Sequence, residues 1–215
     1  MTEKNCIIVG AGEFDVNRIC VGPEDLVIAA DGGYTYCRRL GIRPGLILGD
    51  FDSLDEKGKA QMEEEGARIL RLPVEKDDTD MLAAIRTGLD RGYRKFRLYG
   101  ALGGRLDHTI ANIQCLNFMK DQGAEGVILE ENGSSLLARD ETVTFDMTEG
   151  RMSLFALGER AEGVTIRNMK YTLQNAVLTN SFPIGVSNEF TGERGSVTVR
   201  KGTLLILLSR EASTP

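Results

Sequence analysis

The sequence contains no tryptophan, a single histidine, His108, and only five prolines in 215 residues. Its four cysteines, Cys6, Cys20, Cys37 and Cys115, form no CxxC pair, so a Cys/His zinc site is not expected and buried, reduced thiols are. No apolar run approaches the roughly 18 residues of a membrane span, and the polar start MTEKNCIIVG does not read as a signal peptide, so a cytoplasmic protein is expected. Positive charge is also scarce. The 26 Lys and Arg against 32 Asp and Glu give a formal net charge of -6. That is the wrong sign for diffuse attachment to nucleic acid or anionic lipid, so neither partner is expected, and a polyanionic ligand must be received locally.

What is present is a soluble composition, 41% hydrophobic and 27% charged, in a chain long enough for one large domain or two small ones. Short apolar runs at Cys6-Val9, Leu26-Ala29, Leu46-Leu48, Arg68-Leu72, Phe96-Tyr99 and Val127-Leu129 read as strands. Between several of them lie helical faces, one made of Met81, Leu82, Ile85 and Leu89, another of Ile110, Ile113, Leu116 and Met119. This rhythm predicts an α/β domain over residues 1–132 with a mostly parallel sheet flanked by helices. Beyond it the pattern becomes alternating, as at Val143, Phe145 and Met147, at Val164 and Ile166, and at Val197 and Val199. Turn signals at Glu149-Gly150, Glu162-Gly163 and Lys201-Gly202 punctuate it, predicting an antiparallel β-sandwich over residues 133–215.

In an open α/β sheet ligands bind beyond the carboxyl ends of the strands. The loops expected there carry seven aspartates: Asp31, Asp50, Asp52, Asp77, Asp78, Asp80 and Asp107. Taken singly, such residues make Asx-turns and cap helices, and Asp78, Thr79 and Asp107 stand where caps belong. Taken together on one sheet edge, they repel one another and call for a cation. Carboxylates without His or Cys partners favour Mg²⁺, which takes its remaining ligands from water and phosphate. Asp50 and Asp52 can reach one ion if their loop turns both to the same side, with Asp80 coming from the neighbouring loop.

Glycines accompany the acids at Gly10, Gly12, Gly32, Gly33, Gly49, Gly100, Gly103 and Gly104. They serve either close approach of phosphate to backbone N–H groups or the strand-to-helix turns themselves. Gly10-Ala11-Gly12 does not complete a dinucleotide fingerprint, because Asp15 stands where the third glycine belongs, and no Walker A pattern occurs. Lys76 and Arg105 are the cations best placed for phosphate.

The series ADGG (30–33), GDFDS (49–53), KDDTD (76–80) and GALGGRLDH (100–108), followed by VSNEF (186–190), resembles the thiamine pyrophosphokinases. The resemblance spans nearly the whole chain in order. It implies an ATP- and Mg²⁺-binding catalytic domain, a sandwich that binds thiamine, and a homodimer with sites between subunits. The implied reaction moves the diphosphoryl group of ATP to thiamine, giving thiamine diphosphate and AMP. It also implies Asp50, Asp52 and Asp80 as metal ligands, and Asp31, Gly32, Lys76, Asp77 and Thr79 around ATP. Arg105 would contact phosphate, Asp78 or Asp107 would accept the hydroxyl proton, and Ser187 and Asn188 would touch thiamine. One departure is the missing tryptophan, since some members place an indole near thiamine; Phe182 or Phe190 is the candidate substitute, or else a core residue. The rival readings are a pyrophosphokinase for another alcohol, such as a pterin, and a non-enzymatic thiamine or nucleotide sensor.

Overall fold

The computed structural model describes residues 4–12, 19–49, 68–71 and 78–210. The chain divides into two compact units, Met1–Glu131 and Asn132–Pro215.

Among the described residues of the first unit six strands form a parallel array: β1 (Cys6–Val9), β2 (Leu26–Ala30), β3 (Leu46–Gly49), β4 (Arg68–Arg71), β5 (Lys95–Tyr99) and β6 (Glu125–Leu129). Their spatial order is β6-β5-β1-β2-β3-β4. The chain therefore winds outward from β1 in one direction through β4, then returns to the other side of β1 for β5 and β6. That reversal opens a crevice between β1 and β5 at their carboxyl ends. Unbroken apolar runs such as CIIV and LVIAA suit strands buried on both faces.

Among the described residues of this unit there are three helices: α1 (Gly33–Arg39), α2 (Asp80–Asp90) and α3 (Leu106–Asp121). Tyr34 and Cys37 of α1 pack with Ile7, Val9, Val27, Ala29 and Ile47 on one face of the sheet. On the other face α2 comes so close at Gly88 that an added Cβ would lie 2.6 Å from the Phe96 ring and 2.8 Å from Cys6 Sγ. The α2 face expected from the sequence holds at Met81 and Ile85, which are buried with Ala84 and Gly88, while Leu82 and Leu89 are half-buried.

The α3 face does not hold as expected. Asn112, Cys115, Leu116 and Met119 are the buried residues, while Ile110 is 52% exposed. Cys115, Leu116 and Met119 fix the rotation of the helix, and one turn earlier that face falls on Asn112. Ile110 lies roughly 200° around the axis from Asn112 and so points away.

The second unit contains β7 (Gly133–Arg139), β8 (Thr142–Thr144), β9 (Arg151–Ala156), β10 (Arg160–Arg167), β11 (Leu173–Thr179), β12 (Asn188–Glu189), β13 (Ser196–Thr198) and β14 (Thr203–Ser209). They pair antiparallel in the orders β12-β9-β14-β7 and β11-β10-β13-β8. Met152, Leu154, Val164, Ile166, Val197, Leu204 and Ile206 fill one core between these layers, a sandwich built by alternation along each strand. One expected turn is something else. Gly163 lies inside β10 at φ +67°, where the register with β11 shifts between Glu162 and Val164, so it forms a bulge.

Candidate active site

The crevice at the β1/β5 reversal is a cavity of about 350 Å³, lined by Gly10, Ala11, Gly12, Ala30, Asp31, Thr79, Asp80, Met81, Gly100, Ala101, Gly103, Gly104, Arg105, His108 and Asn112. Its walls are loops held by backbone bonds. Gly10 N–H donates to Tyr99 O (2.8 Å) and Gly12 N–H to Gly100 O (2.9 Å), which ties the loop after β1 to the loop after β5. The glycines there serve this close approach. A Cβ on Gly10 would stand 2.7 Å from Gly100 O, and one on Gly12 2.6 Å from the carbonyl oxygens of both Gly100 and Leu102. Gly104 differs: its φ of +62° requires glycine, and nothing lies within 4 Å of where a Cβ would point.

Asp31 follows β2 in a left-handed conformation, φ 48°, with its N–H bonded to Leu48 O at 2.7 Å. Aspartate is among the few non-glycine residues that adopt this conformation readily. Gly32 is the N-cap of α1 and lies outside the cavity lining. Thr79 is the N-cap of α2; its hydroxyl accepts from Leu82 N–H at 3.2 Å. Asp80 follows in the first turn, where the helix dipole favours a carboxylate, and lines the cavity. Asp78 is paired with Arg86 at 2.7 Å and is not part of the lining.

Arg105 sits at the rim as the N-cap of α3, with its guanidinium engaged by Asp107 through two contacts, Nε to Oδ1 at 3.1 Å and Nη2 to Oδ2 at 2.5 Å. Asp107 Oδ1 also accepts from His108 N–H at 3.0 Å. The bond from Arg105 holds the Asp107 carboxyl below the usual carboxylate range, and the same bond raises the arginine. Asp107 in this state is a weak proton acceptor.

Of the residues expected from the sequence, the cavity thus brings together Asp31, Thr79, Asp80 and Arg105. Asp50, Asp52, Lys76 and Asp77 lie outside the described residues. Among the described residues no three acids, histidines or cysteines are grouped closely enough to hold a metal by themselves. Sequence reasoning missed Asn112, 7% exposed, whose amide donates to Ala101 O at 2.6 Å. The sequence carries no direct signal for it, because the face it shares with Cys115, Leu116 and Met119 is set by the packing of α3.

In the second unit Ser187 is exposed with φ 58°, and its N–H donates to Ser153 Oγ at 3.0 Å. Asn188 is buried and its amide clamps Tyr171 in both directions, accepting from Tyr171 N–H at 2.9 Å and donating to Tyr171 O at 2.7 Å. Phe190 is a core residue, edge-to-face with Phe145 at 6.0 Å between ring centroids. Phe182, by contrast, is 64% exposed.

Residues 20–128 match the family described as thiamin pyrophosphokinase, catalytic domain, and residues 139–204 match thiamin pyrophosphokinase, vitamin B1 binding domain. The chain belongs to the thiamin pyrophosphokinase family. A thiamine pyrophosphokinase of Bacillus subtilis is 26% identical over 211 residues, covering 91% of this chain and 99% of the relative. The crystal structure of a Geobacillus thermodenitrificans thiamin pyrophosphokinase superposes with a TM-score of 0.86 at 26% identity, covering 98% of this chain and all of that one. A Candida albicans thiamin pyrophosphokinase, 17% identical, shares the fold at a TM-score of 0.83 over 97% of this chain and 90% of its own. The cavity described above lies wholly among residues of the first unit, and apart from Gly10, Ala11 and Gly12 its lining falls within the stretch that matches the family's catalytic domain.

Proposed function

We propose that this chain is a thiamine diphosphokinase that transfers the terminal diphosphoryl group of ATP to the hydroxyethyl oxygen of thiamine and releases AMP. The observation that carries this reading is the acidic crevice at the sheet reversal, inside a chain that matches both the catalytic and the vitamin-binding domains of one family. In the reaction the thiamine hydroxyl oxygen bonds to the β-phosphorus, the bond to the α–β bridging oxygen breaks, and its electron pair leaves with AMP. The hydroxyl proton goes to a carboxylate, Asp107 or Asp78, each now held by an arginine.

The donor chemistry of this crevice suits Mg²⁺. Asp31 and Asp80 line it beside a single histidine, His108, and among the described residues no cysteine does. Asp50, Asp52 and Asp80 are assigned as the residues that hold the ion, a set of hard oxygen donors. When bound, the ion neutralises phosphate charge and orients the reacting groups. Asp31, Gly32, Lys76, Asp77 and Thr79 are assigned to the nucleotide, and Arg105 to its phosphates, exchanging Asp107 for the ligand.

Residues 1–132 are the catalytic domain in this reading, and 133–215 the thiamine domain. Ser187 offers thiamine its hydroxyl, while Asn188 acts mainly by fixing the Tyr171 backbone beside it. A homodimer with sites between subunits is supported by Phe182, Ile184 and Val186, three exposed apolar side chains at alternate positions. A cytoplasmic location is supported by Cys6, Cys37 and Cys115, free thiols kept buried.

AMP release from ATP, followed by chromatography, tests the reading. It is expected only when thiamine and a divalent ion are both present, and excess EDTA should abolish it. AMP released with a pterin alcohol and not with thiamine, or no AMP under any condition, would overturn it.

A further inference from the structure

Asn112 has one half of its amide committed and the other half open. Its Nδ2 donates to Ala101 O at 2.6 Å, which fixes which end of the amide is nitrogen and turns Oδ1 elsewhere. No donor among the described residues meets Oδ1. Yet no side-chain oxygen or nitrogen among them is both sealed from solvent and without a partner, so this oxygen opens onto the crevice that Asn112 lines. The residue is 93% buried, since its relative exposure is 7%. A carbonyl with a free lone pair facing a ligand cavity can be hydrated while the cavity holds water, but a ligand that displaces the water must supply a donor or leave the oxygen unsatisfied.

We infer that Asn112 Oδ1 is a specificity-determining acceptor for ATP, receiving a hydrogen bond from a donor on the nucleoside part. This rests on the diphosphokinase reading for the identity of the nucleotide. The donor is not a phosphate, because phosphate oxygens are acceptors and are repelled by a carbonyl oxygen. Arg105 and Gly104, which can offer donors to phosphate, sit at the exposed rim. Asn112 lies seven residues further along α3, roughly 10 Å in axial distance. Phosphates at the rim and nucleoside at the buried end therefore match the order of donors and acceptors. Thiamine is the poorer occupant, since the vitamin-binding match covers residues 139–204 and Asn112 lies outside it. On a nucleoside the donors are the adenine exocyclic amine and the ribose hydroxyls, and both present the same N–H or O–H chemistry.

The test is a set of binding constants, by calorimetry, for ATP, ITP, 2′-deoxy-ATP and 3′-deoxy-ATP on the unaltered protein and on Asn112→Ala. ITP replaces the amine by a carbonyl, and each deoxy nucleotide lacks one hydroxyl. On the unaltered protein one analogue should bind about tenfold more weakly than ATP, as expected for a lost buried hydrogen bond. Asn112→Ala should bind ATP about tenfold more weakly and no longer distinguish ATP from that analogue, with the thiamine KM changed less than twofold. Equal binding of all four nucleotides by the unaltered protein overturns the inference, and this arm decides the matter even if the alanine variant fails to fold. Discrimination that persists in Asn112→Ala, or a rise in thiamine KM alone, also overturns it. Because binding is read directly, ATP selectivity without AMP formation would defeat the diphosphokinase reading while leaving this acceptor in place.

Discussion

At the scale of single residues, the Arg105–Asp107 pair controls what each partner can do. The guanidinium depresses the Asp107 pKa, so the carboxylate is ionised at neutral pH but poorly basic. A lowered carboxyl pKa adds stability above the unfolded value and loses it as pH falls through the folded one. Both partners are exposed, so this contribution is screened and the consequence is chemical rather than structural. Arg105→Ala should move the Asp107 titration midpoint upward toward an ordinary carboxylate, read by carbon NMR of the side-chain carboxyl. An unchanged midpoint would show that Arg105 does not set it. The acids at positions 31 and 80 and the arginine were legible in the sequence because charge at strand ends is visible in one dimension. Asn112 was not, because its importance comes from the rotation of α3, which Cys115, Leu116 and Met119 decide by packing. Phe190 was equally ambiguous until the Phe145 ring was found against its edge.

At the scale of elements, the site depends on two loops held within hydrogen-bond distance of each other. Gly12 N–H reaches Gly100 O, and no side chain fits between them. Gly12→Ala should destabilise the protein by about 1–3 kcal/mol, as overpacking against rigid backbone does, and should weaken ATP binding as the loops part. Urea unfolding followed by circular dichroism checks the first effect; an unshifted midpoint would mean that the loops yield freely. Most strands of the first unit were readable as apolar runs, since burial on both faces leaves an uninterrupted signal. The bulge at Gly163 was read as a turn because glycine after an acid marks either, and only pairing on both sides of β10 tells them apart.

At the scale of the whole molecule, winding outward from β1 and then back to β5 creates the crevice, and Asp31, Thr79, Asp80 and Arg105 line it in chain order. Motif order was plain in the sequence, whereas the sheet order that converts it into a site was not. Sedimentation equilibrium should give twice the chain mass, and Ile184→Glu should shift that toward the monomer, because a charge at a buried apolar contact is costly. A monomer at all concentrations would contradict a site shared between subunits. The proposed reaction moves two phosphoryl groups in one step, and ATP radiolabelled at the β-phosphorus tests this most directly. With thiamine and Mg²⁺ the label should pass entirely into thiamine diphosphate, leaving AMP unlabelled. Label retained in ADP beside thiamine monophosphate would contradict the account.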